Sequence, residues 1–179
     1  LEDVEKRCDS HITHEGDAIY LLGETTGHLG ASLYLKEIEH KRLGPPPPVD
    51  LAIEKHHGEC VRTLIRLGLL RACHDVADGG WLPSLAEMCF RHTIGARLLA
   101  PARHDLLAYC FGEDQARYLL IVPQETSDAM LLVANEFDVP LTNLGTTGGD
   151  SIILDGITQI RVEHLKNKHD MWLPGYMSN

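Results

Sequence analysis

The sequence predicts a mixed α/β fold (α/β or α+β), a single sandwich domain in which helices flank a mixed sheet. Stretches with helical apolar spacing alternate with short β-compatible runs, and no repeat or low-complexity stretch interrupts them. The 179 residues, 44% of them hydrophobic, are enough for one compact core without disulfides or a metal. We therefore expect a domain over residues 16–179, with residues 1–15 as a polar linker or lead-in.

Glycine and proline bound the elements of the first half. Gly23 ends the first apolar run, prolines 45–48 break any helix and stiffen an extended connection, and Gly68 closes a long amphipathic helix from the C′ position. In order, the predicted elements are a strand at 18–22, a turn-rich loop at 23–30, a helix at 31–40, the proline connection at 45–48, a helix at 49–67 and a strand at 69–73.

The second half continues the alternation after a loop at 74–80. Met130, Val133 and Phe137 share one side of a predicted amphipathic helix, whereas the neighbouring apolar runs are short, as is typical of strands. In order, the predicted elements are a helix at 80–91, strands at 95–99 and 118–122, a helix at 126–137, and strands at 139–144, 151–154 and 158–162.

Composition excludes several classes of partner. The net charge of −10 and the scattered 16 basic residues argue against a nucleic-acid or anionic-membrane surface. No apolar run reaches the roughly 18 to 20 residues of a membrane span, and no signal peptide opens the chain. The five cysteines form no CxxC pair and are interpreted as small buried hydrophobes in a reducing compartment, so we expect a cytoplasmic location.

The eleven histidines do not predict a metal site. A zinc site needs three or four converging ligands, and pairs such as His56 and His57, or His164 and His169, have no Cys or carboxylate at recognised ligand spacing. We therefore expect surface histidines and no metal ligands in this chain.

The loop from His74 to Gly80 is the most informative stretch. Gly79 and Gly80 allow φ > 0 and leave amide groups uncovered at a predicted helix N-terminus, which favours an anion such as a phosphate. Asp75 and Asp78 point to other uses, because a carboxylate there caps the helix or holds a cation. A candidate phosphate or nucleotide loop and a simple Asp-capped helix after a tight turn are both open, with His74 as a hydrogen-bond partner of the carboxylates.

A second candidate phosphate or nucleotide loop precedes the predicted helix at 31–40. His28, Gly30 and Ser32 lie where backbone amides and a hydroxyl suit phosphate or ribose contacts. The alternative is a strand-to-helix turn with Ser32 near the cap.

Five segments of the chain, in order, resemble formylglycinamidine ribonucleotide synthase, the purine-pathway synthetase family. They are LLGETTGHLGASLYL at 21–35, PPPVDL at 46–51, HDVADGGWLPSLAEM at 74–88, FGEDQARY at 111–118 and WLPGYM at 172–177. Because these segments keep family-like spacing over essentially the whole chain, the chain is identified as a relative of that family.

The resemblance implies a fragment, the last of four domains, of the type named after the C-terminal half of aminoimidazole ribonucleotide synthetase. The whole enzyme is a ligase that uses ATP and magnesium to convert formylglycinamide ribonucleotide, with glutamine-derived ammonia, to formylglycinamidine ribonucleotide. Its implied partners are the remaining domains of the same synthetase, a glutaminase subunit and a small bridging subunit. The catalytic groups lie in domains absent from this chain, so no catalytic residue and no cofactor are expected here.

The resemblance also marks Glu113, Asp114, Gln115 and Arg117 as a candidate degenerate substrate loop. In the family's other domain of this type, the corresponding loop contacts the ribonucleotide, but here Asp114 stands where that loop has a serine. A carboxylate facing a substrate phosphate repels it, so we expect the loop to have lost direct substrate binding.

Two other functions remain open at this point. One is a domain of another member of the superfamily, of the selenophosphate synthetase or thiamine monophosphate kinase type, since fold alone leaves the substrate undetermined. The other is a non-catalytic structural or interaction module.

Overall fold

The computed structural model describes residues 7–100 and 105–178, so the first part of the predicted linker, residues 1–6, lies outside it. The strands are β1 (Ala18–Leu22), β2 (Ala72–Asp75), β3 (Ala96–Leu98), β4 (Tyr118–Val122), β5 (Leu141–Thr147), β6 (Ser151–Leu154) and β7 (Thr158–Arg161). The helices are α1 (Leu51–Arg66), α2 (Trp81–Phe90), α3 (Leu106–Phe111), α4 (Ser127–Glu136) and α5 (Val162–Met177), with π- and 3₁₀-helical turns at Tyr34–Ile38 and Gln124–Thr126.

Within the described residues, the strands form one sheet in the order β2-β4-β1-β5-β3-β6-β7. The β3–β6 pair is parallel and the other pairs are antiparallel, which confirms the predicted mixed sheet. The central strand β1 is buried on both faces: Ile19 and Leu21 pack in a core with α2, whereas Tyr20 and Leu22 pack with α1 and α4. Helices on both faces of one sheet confirm the predicted sandwich, and they explain why β1 is a continuous apolar run.

The helix predicted at 49–67 forms as α1. Asp50 caps its N-terminus by accepting the amides of Ala52 and Ile53 at 2.8 and 3.1 Å, so the helix begins two residues later than predicted. Gly68 follows the C-cap with φ +69°, the left-handed conformation expected of a C′ glycine. Val49 precedes the cap and is exposed, which the amphipathic pattern alone did not predict.

The helix predicted at 31–40 is wrong for most of its length. Only Tyr34–Ile38 forms a π-helical turn, and none of its residues is buried. Short helices owe their stability to an apolar face packed on a core, and Ile38 is 64% exposed. The apolar residues have helical spacing here, but none of those in the turn is buried against the core.

Two helices were missed and two strands are displaced, since the strand predicted at 139–144 lies at Leu141–Thr147. Asp105 caps the short helix α3 by accepting the amide of Ala108 at 3.0 Å, and α5 follows the last strand. The strand predicted at 69–73 lies at Ala72–Asp75, because its pairing with β4 sets Asp75 opposite Tyr118. His74 therefore lies in β2 and not in the loop after it.

The described part of the predicted lead-in packs on the domain. Asp9 forms a parallel bridge with Ala72, and Ile12 is fully buried with its amide donating to Met88 O at 2.9 Å. All five cysteines are free, and burial raises the pKa of Cys73 and of Cys89 to about 12. Among the described residues, no helix combines the length and apolar character needed to cross a membrane.

Candidate functional site

Three loops meet at one edge of the sheet. Leu22 and Asp75, the last residues of β1 and β2, both pair with Tyr118, the first residue of β4. Because β4 runs antiparallel to its two neighbours, the loops that leave β1 and β2 converge on the segment that enters β4. That segment, residues 112–117, is called the clasp below, since it bonds to both loops.

Glu113 of the clasp bonds to the loop after β2 and to Leu33, the residue that follows the loop at 23–32. Its Oε1 accepts the amide of Gly79 at 2.8 Å and the amide of Leu33 at 2.8 Å. The Gly79 amide, one of the groups expected to receive a phosphate, is therefore already bonded to a carboxylate of the same chain. Gln115 is exposed beside it, and its side-chain amide donates to Glu113 O at 3.0 Å.

Asp114 is buried against the loop after β1. Its carboxylate accepts the Thr26 hydroxyl, the Gly27 amide at 3.0 Å and the His28 amide at 3.3 Å. Burial raises the pKa of Asp114, but the hydrogen bonds from Thr26 and Gly27, with the charge of Arg117, outweigh it and hold this pKa below its usual range. The carboxylate is thus bonded to groups of the chain itself, although Asp114 also lines a cleft of about 470 Å³.

Arg117 is fully buried and holds the clasp closed. Its Nε donates to Asp114 O at 2.9 Å and an Nη donates to Gly112 O at 2.6 Å. The other Nη donates to the hydroxyl of Thr25 at 3.2 Å. Burial lowers the pKa of Arg117 and the Asp114 charge opposes that shift. With its nitrogens engaged inside the protein, the guanidinium does not reach a surface anion.

The two glycines of the motif loop differ in their surroundings. Both have positive φ, +83° at Gly79 and +84° at Gly80, which confirms the predicted tight turn. A Cβ on Gly80 would lie 2.7 Å from Cys110 O and 2.8 Å from Gly112 O, whereas a Cβ on Gly79 would meet only Pro83 at 3.4 Å. Gly80 is therefore also needed because the backbone at the start of α2 passes close to the carbonyl oxygens of Cys110 and Gly112.

The aspartates of the motif loop do not cap α2. Gly80 occupies the N-cap position and no side chain bonds to the helix amides, so the prediction of an Asp-capped helix is wrong. Asp75 and Asp78 are exposed and line a cleft of about 270 Å³, and the ring of His74 donates to Asp75 O at 2.6 Å. Among the described residues, no group of three or more His, Cys, Asp or Glu is arranged to hold a metal ion.

The loop at 23–32 is bonded within the chain. Ser32 Oγ accepts the Leu35 amide at 3.3 Å, so Ser32 caps the short turn as the structural alternative predicted. His28 Nε2 donates to Pro45 O at 2.9 Å, and a Cβ on Gly30 would lie 2.3 Å from the same oxygen. Gly30 and His28 therefore hold the proline connection against the loop.

Sequence reasoning missed the support that α1 gives to the clasp. His57 was expected at the surface but is buried, and its Nδ1 donates to Ala116 O at 2.7 Å. Glu54 accepts the Ala116 amide at 2.9 Å. Ala116 itself has φ +56°, a conformation that two partners from one helix hold in place. No local motif signals these contacts, because 59 and 62 positions separate the partners.

The chain matches the family model described as AIR synthase related protein, C-terminal domain, over residues 14–155. It is 46% identical over 178 residues to a phosphoribosylformylglycinamidine synthase subunit PurL of Bradyrhizobium diazoefficiens and 44% identical over 178 residues to that of Caulobacter vibrioides. Each match covers 99% of the chain and 24% of the relative, so the chain spans about a quarter of the length of these curated relatives. The resemblance predicted from the five segments is confirmed.

Solved structures of Thermotoga maritima proteins share the fold and cover 91% of the chain. They are PurL complexed with FGAR (TM-score 0.75, 18% identity), PurL complexed with ATP (0.70, 15%) and PurLQS (0.70, 14%), of which the chain covers 30%, 28% and 28%. At these identities the likeness concerns the fold.

Proposed function

The chain belongs to the family of AIR synthase related proteins, as a C-terminal domain of that family, and from this premise we propose that it is the C-terminal domain of a PurL-type phosphoribosylformylglycinamidine synthase. The observation that carries the proposal is the identity of 44–47% with PurL subunits across 99% of the chain. The whole enzyme joins ammonia derived from glutamine to formylglycinamide ribonucleotide, and hydrolysis of ATP to ADP and phosphate drives the reaction. We also propose magnesium as the ion that accompanies ATP.

Within residues 7–100 and 105–178, the arrangement of side chains and amides does not fit ATP or magnesium. The described residues hold no carboxylate group arranged around an ion, and the Gly79 amide is bonded to Glu113. The amides of Gly27 and His28 are bonded to Asp114. We therefore assign no catalytic step to this chain and propose that it supports the remaining domains, with nucleotide and metal held elsewhere in the enzyme.

The clasp is proposed as the degenerate counterpart of a substrate loop. In a binding loop, backbone amides at a glycine turn attract a phosphate. Here two carboxylates take that place and supply the negative charge from within the chain. The proposed partners are the other domains of the synthetase, a glutaminase subunit and a small bridging subunit, and the proposed location is the cytoplasm.

A chimera tests the proposed function. In it, the matching quarter of the Bradyrhizobium diazoefficiens relative is replaced by this chain, and product formation is measured with formylglycinamide ribonucleotide, ATP and ammonia. The expected result is activity within about tenfold of the parent, because the domain supplies support and no catalytic group. A folded but inactive chimera beside an active parent would contradict the proposal, as would ATP turnover by the isolated chain that Asp78→Ala abolishes.

Phosphate titration of the isolated chain, followed by NMR, tests the role of the clasp. We expect weak binding at most, with any shifts at Gly30–Ser32 or Gly79–Gly80 and none centred on Glu113 to Arg117. Glu113→Ala frees the Gly79 and Leu33 amides and is expected to increase phosphate-dependent shifts there. Gln115→Ala is the matched control, because Gln115 belongs to the same loop but bonds to no glycine amide. Equal shifts in parent and Glu113→Ala would contradict the assignment.

A further inference from the structure

The last part of α5 is exposed to solvent along its whole length. Every residue from 167 to 178 is exposed, and between 171 and 177 the sequence MWLPGYM carries no charged side chain. Its large apolar side chains are all more than half exposed: Met171 67%, Trp172 66%, Leu173 56%, Tyr176 67% and Met177 75%. Residues 171–177 are called the exposed end of α5 below. Contiguous apolar surface of this kind marks an interaction site.

The first half of the same helix is anchored. Val162 is fully buried, Leu165 packs against the core, and the ring of His169 lies 5.3 Å from that of Phe90. Beyond this anchor, Pro174 and Gly175 are the two residue types least favourable in a helix interior. A helical turn that contains both, and whose large apolar side chains are exposed, is stabilised when those side chains pack on a surface.

The matches to known proteins separate α5 from the rest of the domain. The domain-family model matches residues 14–155 and stops before β7 and α5. The PurL subunits align over 178 residues of this chain, a span that includes the exposed end of α5, and they are about four times as long as the chain. The positions of the exposed end of α5 thus lie within the span aligned with full synthetase subunits and outside the region that the domain-family model matches.

We propose that the exposed end of α5 docks, as a helix in an apolar groove, on the part of a PurL-type polypeptide that this chain does not match. The proposal rests on the proposed function. Trp172 and Tyr176 lie one turn apart with their rings stacked at 5.5 Å and 10°, and Leu173 and Met177 have the same spacing beside them. The partner surface is therefore an uncharged groove that accepts two stacked aromatic rings, and its binding is insensitive to salt.

Hydroxyl-radical footprinting of the isolated chain and of the chimera tests this docking. In the isolated chain, Trp172 and Tyr176 are expected to be modified readily. In the chimera, we expect their modification to fall at least fivefold, independently of protein concentration and up to 1 M salt. Equal modification in both proteins would overturn the proposal. Protection of the isolated chain that rises with its concentration would assign the surface to a second copy, and protection only with phosphatidylcholine vesicles would assign it to lipid; either result also overturns it.

A variant pair gives a second readout. Trp172→Ser with Tyr176→Ser is expected to lower the Tm of the chimera by several degrees and to leave that of the isolated chain unchanged. Leu132→Ser is the matched control, since Leu132 is 66% exposed on α4, and it should leave both Tm values unchanged. Neither readout uses catalysis. An inactive chimera with a protected helix end refutes the proposed function alone, and an active chimera with an unprotected one refutes the docking alone.

Discussion

The clasp and the exposed end of α5 differ in how far their side chains find partners within the chain. In the clasp, two carboxylates and a guanidinium find their partners within the chain, over sequence separations of up to 92 positions. At the end of α5, five large apolar side chains stay more than half exposed, although the rings of Trp172 and Tyr176 stack on each other. The charged groups of the clasp are bonded within the chain, whereas the large apolar side chains of a helix in the same domain stay exposed.

The negative charges of Glu113 and Asp114 explain why the clasp bonds to backbone amides of the same chain. Backbone amides at a glycine turn concentrate positive potential, and an ionised carboxylate satisfies it as a phosphate would. The negative charge predicted to repel a substrate phosphate is the same charge that stabilises the two loops. Under the proposed role of the clasp, loss of substrate binding and gain of internal stability have one cause, the orientation of Glu113 and Asp114 toward the amides.

The largest expected effect is that of Arg117→Met. The guanidinium is fully buried and donates to two carbonyls and a hydroxyl, so its removal takes a donor from buried acceptors and the positive charge from beside the Asp114 carboxylate. We expect a loss of about 3–5 kcal/mol in the free energy of unfolding, measured by urea denaturation. Arg97→Met is the control, because Arg97 pairs with Asp155 at the surface, and a change above about 1 kcal/mol there would weaken the comparison.

Gly80→Ala and Gly79→Ala separate backbone strain from close approach. Both glycines have nearly the same positive φ, so each substitution costs about 1 kcal/mol in strain. At Gly80 the new methyl also meets Cys110 O and Gly112 O below 3 Å, which adds about 1–3 kcal/mol of overpacking. Thermal melts in which the two variants are equally stable would show that the backbone at Cys110 and Gly112 does not approach Gly80 as closely as the distances indicate.

Asp114→Asn tests the charge of the clasp through pH. The pKa of Asp114 is lowered in the folded state, so its stabilising contribution is complete above the ordinary aspartate pKa of about 4 and disappears as the pH falls through the lower folded value. We expect Asp114→Asn to lower the free energy of unfolding by about 1–3 kcal/mol at pH 7, and we expect this loss to shrink steadily below pH 4. The measurement is urea denaturation of parent and variant between pH 7 and pH 3. A difference in the free energy of unfolding that stays constant over this range would mean that the geometry of the hydrogen bonds, and not charge, stabilises the loop.

The sequence predicted the features that depend on local patterns. β1, β4 and β6 lie at the predicted positions because their apolar runs are buried in the sheet, and the positive φ of Gly79 and Gly80 follows from residue type. The clasp was not predictable in this way, since Asp114 and Thr26 are 88 positions apart and nothing local tells whether a carboxylate faces solvent or an amide. α5 was missed for a different reason, because Pro174 and Gly175 disfavour a helix at its end.

The smallest expected effect on stability is at Trp172, in the exposed end of α5. The chain has two tryptophans: Trp81 is 1% exposed and its indole donates to Tyr109 O at 2.8 Å, whereas Trp172 is 66% exposed. Trp81→Ala is expected to cost about 3–5 kcal/mol because it opens the core, and Trp172→Ala to change the stability of the isolated chain by less than about 0.5 kcal/mol.

Denaturation followed by circular dichroism measures both variants on the same scale, without depending on the fluorescence that each substitution removes. A loss above about 1 kcal/mol for Trp172→Ala would mean that the exposed end of α5 already packs within this chain. The apolar surface would then be part of the domain core and not an interface. If the loss is negligible, the large aromatic side chain contributes nothing to the fold that contains it, and its contribution must be sought in the assembled protein.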